Sequence, residues 1–176
     1  MAPRSNPAAP QYILLPVRQA TIVASFAAAL LLNFLPWRDV ALAPDFVALV
    51  LAFWCVRQPR IVGLGAGWVL GLVTDAGNGV LLGQHALAYS LLAFAAIALS
   101  RRILWFSIAA QALHVAALLV FAQTVAVLVR LAAGADFPGW SLYVGPLLGA
   151  ALWPVASFVL LAPQRRPIDV DETRPI

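Results

Sequence analysis

The sequence predicts an all-α, polytopic membrane protein of six transmembrane helices, and three observations carry that prediction. The chain of 176 residues is 63% hydrophobic and only 10% charged. Its mean hydropathy of +0.92 means more apolar surface than a water-soluble domain of this length could hide. The apolar runs are separated by short segments carrying arginine, proline and glycine, and the arginines gather at alternate ends of those runs.

In chain order, residues 1–16 form a polar, proline-rich leader (Pro3, Pro7, Pro10, Pro16) expected to be flexible. The first span runs from about Val17 to Leu35. A cleaved signal peptide is the competing reading, since Arg4 and Arg18 precede the apolar run and Ala41-Leu42-Ala43 has the small residues of a cleavage site. The run is long for such a segment, and Pro44 would directly follow the cut. The second span covers about Val40 to Val56. Pro44 suits a first helical turn, and Asp45 meets the positive end of the helix dipole.

The third span begins at Ile61, and the stretch from there to Tyr89 is the packing hub. Gly63, Gly67, Gly71, Asp75 and Gly79 follow one another at four-residue spacing, so neighbours in the series share a helix face. Small residues on one face let a second backbone approach closely, which is how membrane helices gain contact without a water-driven force. Asp75 puts a carboxyl beside that seam, where it needs a partner or a water-lined recess. Gly77-Asn78-Gly79 disfavours helix, so the chain is expected to break there and restart near Gly83-Gln84-His85. Whether the face packs internally or receives a partner helix is open at this level.

The fourth span, about His85 to Leu99, ends at Ser100-Arg101-Arg102. The fifth, Ile103 to about Leu131, would reach roughly 43 Å at ~1.5 Å per residue and must tilt in a ~30 Å hydrocarbon core. Ser107, Gln111 and His114 would share one of its faces. The sixth, about Trp140 to Ala162, contains Pro146 and Pro154 and is expected to kink. The transmembrane domain thus spans residues 17–162, and a flexible polar tail occupies 163–176.

Six spans place both termini on one side. With that side cytoplasmic, Arg4, Arg18, Arg57, Arg60, Arg101, Arg102, Arg165, Arg166 and Arg174 are inside, and only Arg38 and Arg130 are outside. Nine against two is the positive-inside bias of a multi-pass protein. Trp37 and Trp140 then fall near the outer ends of spans and Trp54 and Trp105 near the inner ends, as interfacial belts require.

These features exclude several functions. The arginines stand singly or in pairs between apolar runs, which marks topology and not a nucleic-acid surface. No Walker loop, no Cys/His cluster at metal spacing and no H-E-x-x-H is present. None of the serines lies in a nucleophile motif. Gly63-Leu64-Gly65-Ala66-Gly67 follows no strand and is not a nucleotide loop. No cofactor, metal or catalytic residue is therefore assigned. Two readings compete for Asp45 and Asp75: a carboxylate pair in the outer half, or helix capping at Asp45 with Asp75 bonding the broken backbone at Gly77-Asn78-Gly79. His114 either relays protons or bonds its neighbours, Gln111 among them.

Four pieces stand in a telling order: Pro44-Asp45, Arg57-Gln58-Pro59, Gly71-Leu72-Val73-Thr74-Asp75, and Leu82-Gly83-Gln84-His85-Ala86-Leu87-Ala88-Tyr89. Together they resemble the rod shape-determining protein MreD family, over about Pro44 to Tyr89 at motif level, with size and span plan agreeing elsewhere. The resemblance implies a small bacterial inner-membrane protein of the elongasome, in partnership with MreC and through it with MreB, the RodA glycosyltransferase and its partner transpeptidase. It also implies a fold similar to the substrate-binding subunits of energy-coupling-factor transporters.

The expected function is a non-enzymatic scaffold of the cell-wall elongation complex. Its MreC-docking surface would be the face of Gly63, Gly67, Gly71, Asp75 and Gly79, or the outer rim around Asp45 and Asn78. The alternative is a small-solute binding or transport subunit, motivated by the fold likeness and by Asn33, Asp45, Asp75, Asn78 and His114. An intramembrane enzyme would rest on Asp45 and Asp75 alone.

Overall fold

The computed structural model describes residues 12–14, 17–35 and 43–167. Seven α-helices make up nearly all of it: α1 Gln19–Phe34, α2 Phe46–Arg57, α3 Leu64–Asn78, α4 Gln84–Leu104, α5 Ile108–Ala132, α6 Val144–Ala151 and α7 Trp153–Leu161. Strands β1 (Tyr12–Leu14) and β2 (Arg165–Pro167) pair antiparallel, with Ile13 opposite Arg166. That pairing brings two distant parts of the chain, one before α1 and one after α7, to the same side of the molecule. The rest of the leader and of the tail lies outside the described residues.

The centre of the bundle is α2. Every residue from Val47 to Val56 except Val50 is buried, so this helix is apolar all round because it is surrounded all round. Helices α1 and α4 flank it, and α3 and α5 pack in turn on α4. Two tryptophans that bring a polar N–H into this core find acceptors, as buried indoles must. Trp54 Nε1 donates to Ser25 Oγ on α1 at 2.8 Å, and Trp153 Nε1 donates to Gln111 Oε1 on α5 at 3.2 Å. Phe53 lies between them, edge-on to Trp54 and tilted against Trp153.

Helix lengths and side-chain contacts bear on the sequence expectations one by one. By length and composition two helices, Gln84–Leu104 and Ile108–Ala132, are able to cross a membrane, and Trp140–Ala151 with Trp153–Gln164, bent by 44°, make a third if taken as one span. Helices α1, α2 and α3 have 16, 12 and 15 residues, or roughly 24, 18 and 22 Å at 1.5 Å per residue. Each is shorter than a ~30 Å hydrocarbon core. The fifth helix begins at Ile108, since Ile103 and Leu104 still belong to α4 and Ser107 only precedes the first turn. The kink in the last segment falls at Leu152, next to the first turn of α7, where Pro154 has no N–H to continue the ladder of α6.

Trp54 is a core residue with 0% exposure, not a member of an interfacial belt; Trp105 is 91% exposed. Trp37 lies outside the described residues. His114 does not bond Gln111. Its Nδ1 lies 2.8 Å from the Ala110 carbonyl, and its ring stacks on Phe106, while Gln111 turns to Phe106 O and Trp153.

Candidate functional site

At one end of the bundle, where α1, α3 and α5 finish and α2 and α4 begin, two carboxylates fasten four helices. Asp45 precedes α2 as its N-cap, and Oδ1 accepts the Ala48 N–H at 3.0 Å. The same oxygen accepts Asn33 Nδ2 from the last turn of α1 at 2.9 Å, while Asn33 Oδ1 accepts the Phe46 N–H at 2.9 Å. This reciprocal pair ties the end of α1 to the start of α2 and satisfies backbone donors that no helix can satisfy for itself. Asp45 Oδ2 accepts the hydroxyl of Tyr89, which is buried on α4.

Asp75 sits in the last full turn of α3 with 0% exposure. Its carboxylate does not bond the backbone of Gly77-Asn78-Gly79; it caps the next helix. Oδ2 accepts the Gly83 N–H at 2.9 Å, and Oδ1 accepts the His85 N–H at 2.9 Å. Oδ1 also lies 2.7 Å from His85 Nδ1. Several donors on one buried carboxyl compensate the cost of placing it there. The turn between α3 and α4 suits this. Gly79 (φ 63°) and Gly83 (φ 102°) take left-handed backbone at its two ends, which glycine does without a Cβ penalty.

His85 and Tyr89 are one helical turn apart on α4, and their rings meet edge to face at 5.6 Å. Asp75–His85 and Asp45–Tyr89 are thus adjacent clamps on the first turns of α4. Motif reading placed His85 and Tyr89 in a shared string but gave them no role. Their four-residue spacing beside two carboxylates set in apolar stretches was the signal available.

The glycine series divides. A Cβ on Gly67 would lie 2.6 Å from the Tyr89 carbonyl oxygen, and one on Gly71 would lie 2.3 Å from Ala86 Cα. Both glycines bring α3 against the backbone of α4 within the chain. A Cβ on Gly63 would meet nothing within 4 Å, and Gly79 closes the helix outside the contact. Gly77 receives the ring of Phe34 from α1. Asn78 is half-buried, at the edge of an open cleft of about 950 Å³ among the ends of α1, α3, α4 and α5. The clamps spend both carboxylates on structure; the cleft beside them is bordered by polar side chains that are not so spent.

Comparison with known proteins agrees with the motif resemblance. The family model for rod shape-determining protein MreD matches residues 16–162. A rod shape-determining protein MreD of Haemophilus influenzae (strain ATCC 51907 / DSM 11121 / KW20 / Rd) is 30% identical over 154 residues, covering 84% of this chain and 92% of that protein. No solved structure matches. The clamped carboxylates and the glycine seam at α3 and α4 fall within the matched region, and the chain belongs to the MreD family of rod shape-determining membrane proteins.

Proposed function

We propose that this protein is a non-enzymatic scaffold of the cell-wall elongation complex that binds MreC and, in complex, works with MreB, RodA and its partner transpeptidase. It would act in the bacterial inner membrane as a six-span protein with cytoplasmic termini, in an arrangement similar to the substrate-binding subunits of energy-coupling-factor transporters. The observation that most supports a scaffold is the pair of clamps. Asp45 and Asp75, the carboxyls at the helix ends, are each held by backbone and side-chain donors. Groups so committed hold helices in register and are poorly placed to accept a substrate's proton.

Family membership supports a role in rod shape. The arginine asymmetry supports the orientation, and the pairing of β1 with β2 fits an even number of crossings.

Of the two docking surfaces considered from sequence, Gly67 and Gly71 are covered by α4. The rim therefore becomes the proposed contact. Its turn between α3 and α4 carries Val80, Leu81 and Leu82, all exposed, the last at 68%. The Asp75 cap and the two left-handed glycines hold this turn in one shape, so an apolar partner meets a preformed edge.

A mild-detergent pull-down of tagged protein from its native membrane tests the proposal, with Leu81→Asn/Leu82→Asn as the variant. Wild type should recover MreC and the variant should lose it, with rod shape lost in cells that depend on the variant. Recovery of no MreC by wild type, or full recovery and normal shape with the variant, would refute the reading.

A further inference from the structure

The cleft of about 950 Å³ lies at the upper end of the usual size of small-molecule sites, roughly 300–1,000 Å³. Its walls hold polar groups that the fold does not use. Gln84 is 9% exposed, borders the cleft, and its amide has no hydrogen-bond partner among the described residues. The half-buried side chains of Gln123 and Asn78 on the same walls have none either. His85 also borders the cleft, with its Nδ1 committed to Asp75. Gln84 is the buried residue of the three and Gln123 and Asn78 are half-buried, so around one cleft three amides keep donors and acceptors that the fold leaves for whatever enters it.

Charge narrows the class. Arg130, at the end of α5, is the cation on the cleft wall and has no ion pair among the described residues. Asp45, the carboxylate on that wall, already accepts from Asn33, Ala48 and Tyr89. A guanidinium with open donors selects phosphate or carboxylate, both of which its planar fork meets bidentately, and at the end of a membrane helix the phosphate of a lipid headgroup is the anion at hand. The amides add sites for hydroxyl or amide groups, since each both donates and accepts.

Geometry adds an apolar exit. Helix α1 meets α3 where the Phe34 ring lies on Gly77. Phe34 lines the cleft and is 41% exposed. An apolar ring thus forms part of the rim of the cleft.

We propose that this cleft binds a phosphate ester bearing neutral hydroxyl or amide groups, with the phosphate on Arg130 and the neutral groups on Gln84, Gln123 and Asn78. A lipid headgroup, with its chains leaving past Phe34, and a free polyol phosphate share this chemistry.

The test uses the full chain, delipidated in mild detergent and titrated with phosphatidylglycerol, phosphatidylcholine or soluble glycerol phosphate, with bound species read by native mass spectrometry. One phosphatidylglycerol per chain, held at least tenfold more tightly than phosphatidylcholine, is expected. Arg130→Ala, at an exposed position, should weaken retention of both lipids severalfold, and Gln123→Leu should reduce the preference for phosphatidylglycerol, both with an unchanged thermal midpoint. Saturable glycerol phosphate binding that Arg130→Ala removes, without lipid retention, would support the proposal with the soluble source. Equal retention of the two lipids without glycerol phosphate binding, no retention of either lipid or of glycerol phosphate, or lipid retention unchanged by Arg130→Ala, would overturn it.

Discussion

Replacing Gly71 by alanine adds one methyl group and should loosen an entire end of the bundle. The new Cβ would lie 2.3 Å from Ala86 Cα, 2.4 Å from Ala86 N and 2.5 Å from the His85 carbonyl carbon. All three are backbone atoms of α4, so no side chain can rotate away. Ordinary contact begins at 3.4 Å, and α3 must therefore retreat by about 1.1 Å at this point. Asp75 lies one turn further on, and its bonds to Gly83 and His85 are 2.9 Å long. The same retreat would stretch them to roughly 4 Å, beyond hydrogen-bond range. Overpacking costs about 1–3 kcal/mol and loss of a helix cap about 1 kcal/mol, against a helix-propensity gain of about 1 kcal/mol for Gly→Ala. The expected net loss is about 1–3 kcal/mol. Gly65→Ala is the control: it lies on the same helix, and its Cβ would meet nothing within 4 Å, so only the propensity gain applies. Thermal unfolding in detergent, followed by circular dichroism, should rank Gly65→Ala at or above wild type and Gly71→Ala several degrees below. A Gly71→Ala midpoint equal to wild type would refute the close-contact reasoning. So would a Gly65→Ala midpoint that falls as far.

Two further substitutions test the clamps and the core. Tyr89→Phe removes the hydroxyl that donates to Asp45 and leaves a carboxylate oxygen short of a donor, so it should cost about 1–3 kcal/mol. Combined with Asp45→Asn in a double-mutant cycle, its effect should be non-additive; additive losses would show that the pair does not act as one unit. Gln111→Leu takes the acceptor from the buried Trp153 indole and should lower stability by about 1–2 kcal/mol. Tryptophan fluorescence should shift as Trp153 loses its partner, and an unshifted spectrum with an unchanged midpoint would argue against that bond.

How far the sequence could be read depended on whether a feature acts locally. Composition and arginine placement report on the solvent around each segment, and both are visible residue by residue. The break after Asn78 and the restart at Gln84 were legible because Gly79 and Gly83 act on their own backbone. The partners of Asp75 were not legible from its immediate neighbours. It reaches past Gly77-Asn78-Gly79 to the next helix, and only the shape of the intervening turn decides that. Trp54 shows the same limit: its position near a helix end suggested an interface, but Ser25 on a separate helix supplies the acceptor that lets it be buried.

The sequence by itself determined that this is a helical membrane protein of the MreD kind, and it marked a stretch where α3 carries small residues and a carboxyl. Apolar content, charge asymmetry and motif order are properties of the chain, independent of how its helices meet. Tertiary structure decided which glycines are contacts, turning Gly67 and Gly71 inward and leaving Gly63 and Gly65 free. It decided that Asp45 and Asp75 clamp α4 through Tyr89 and His85. It also decided that Gln84 on α4 borders one cleft with Gln123 and Arg130 on α5. The physical reason is that close approach and hydrogen bonding are set within about 3–4 Å between segments, a scale that spacing along a single chain does not encode.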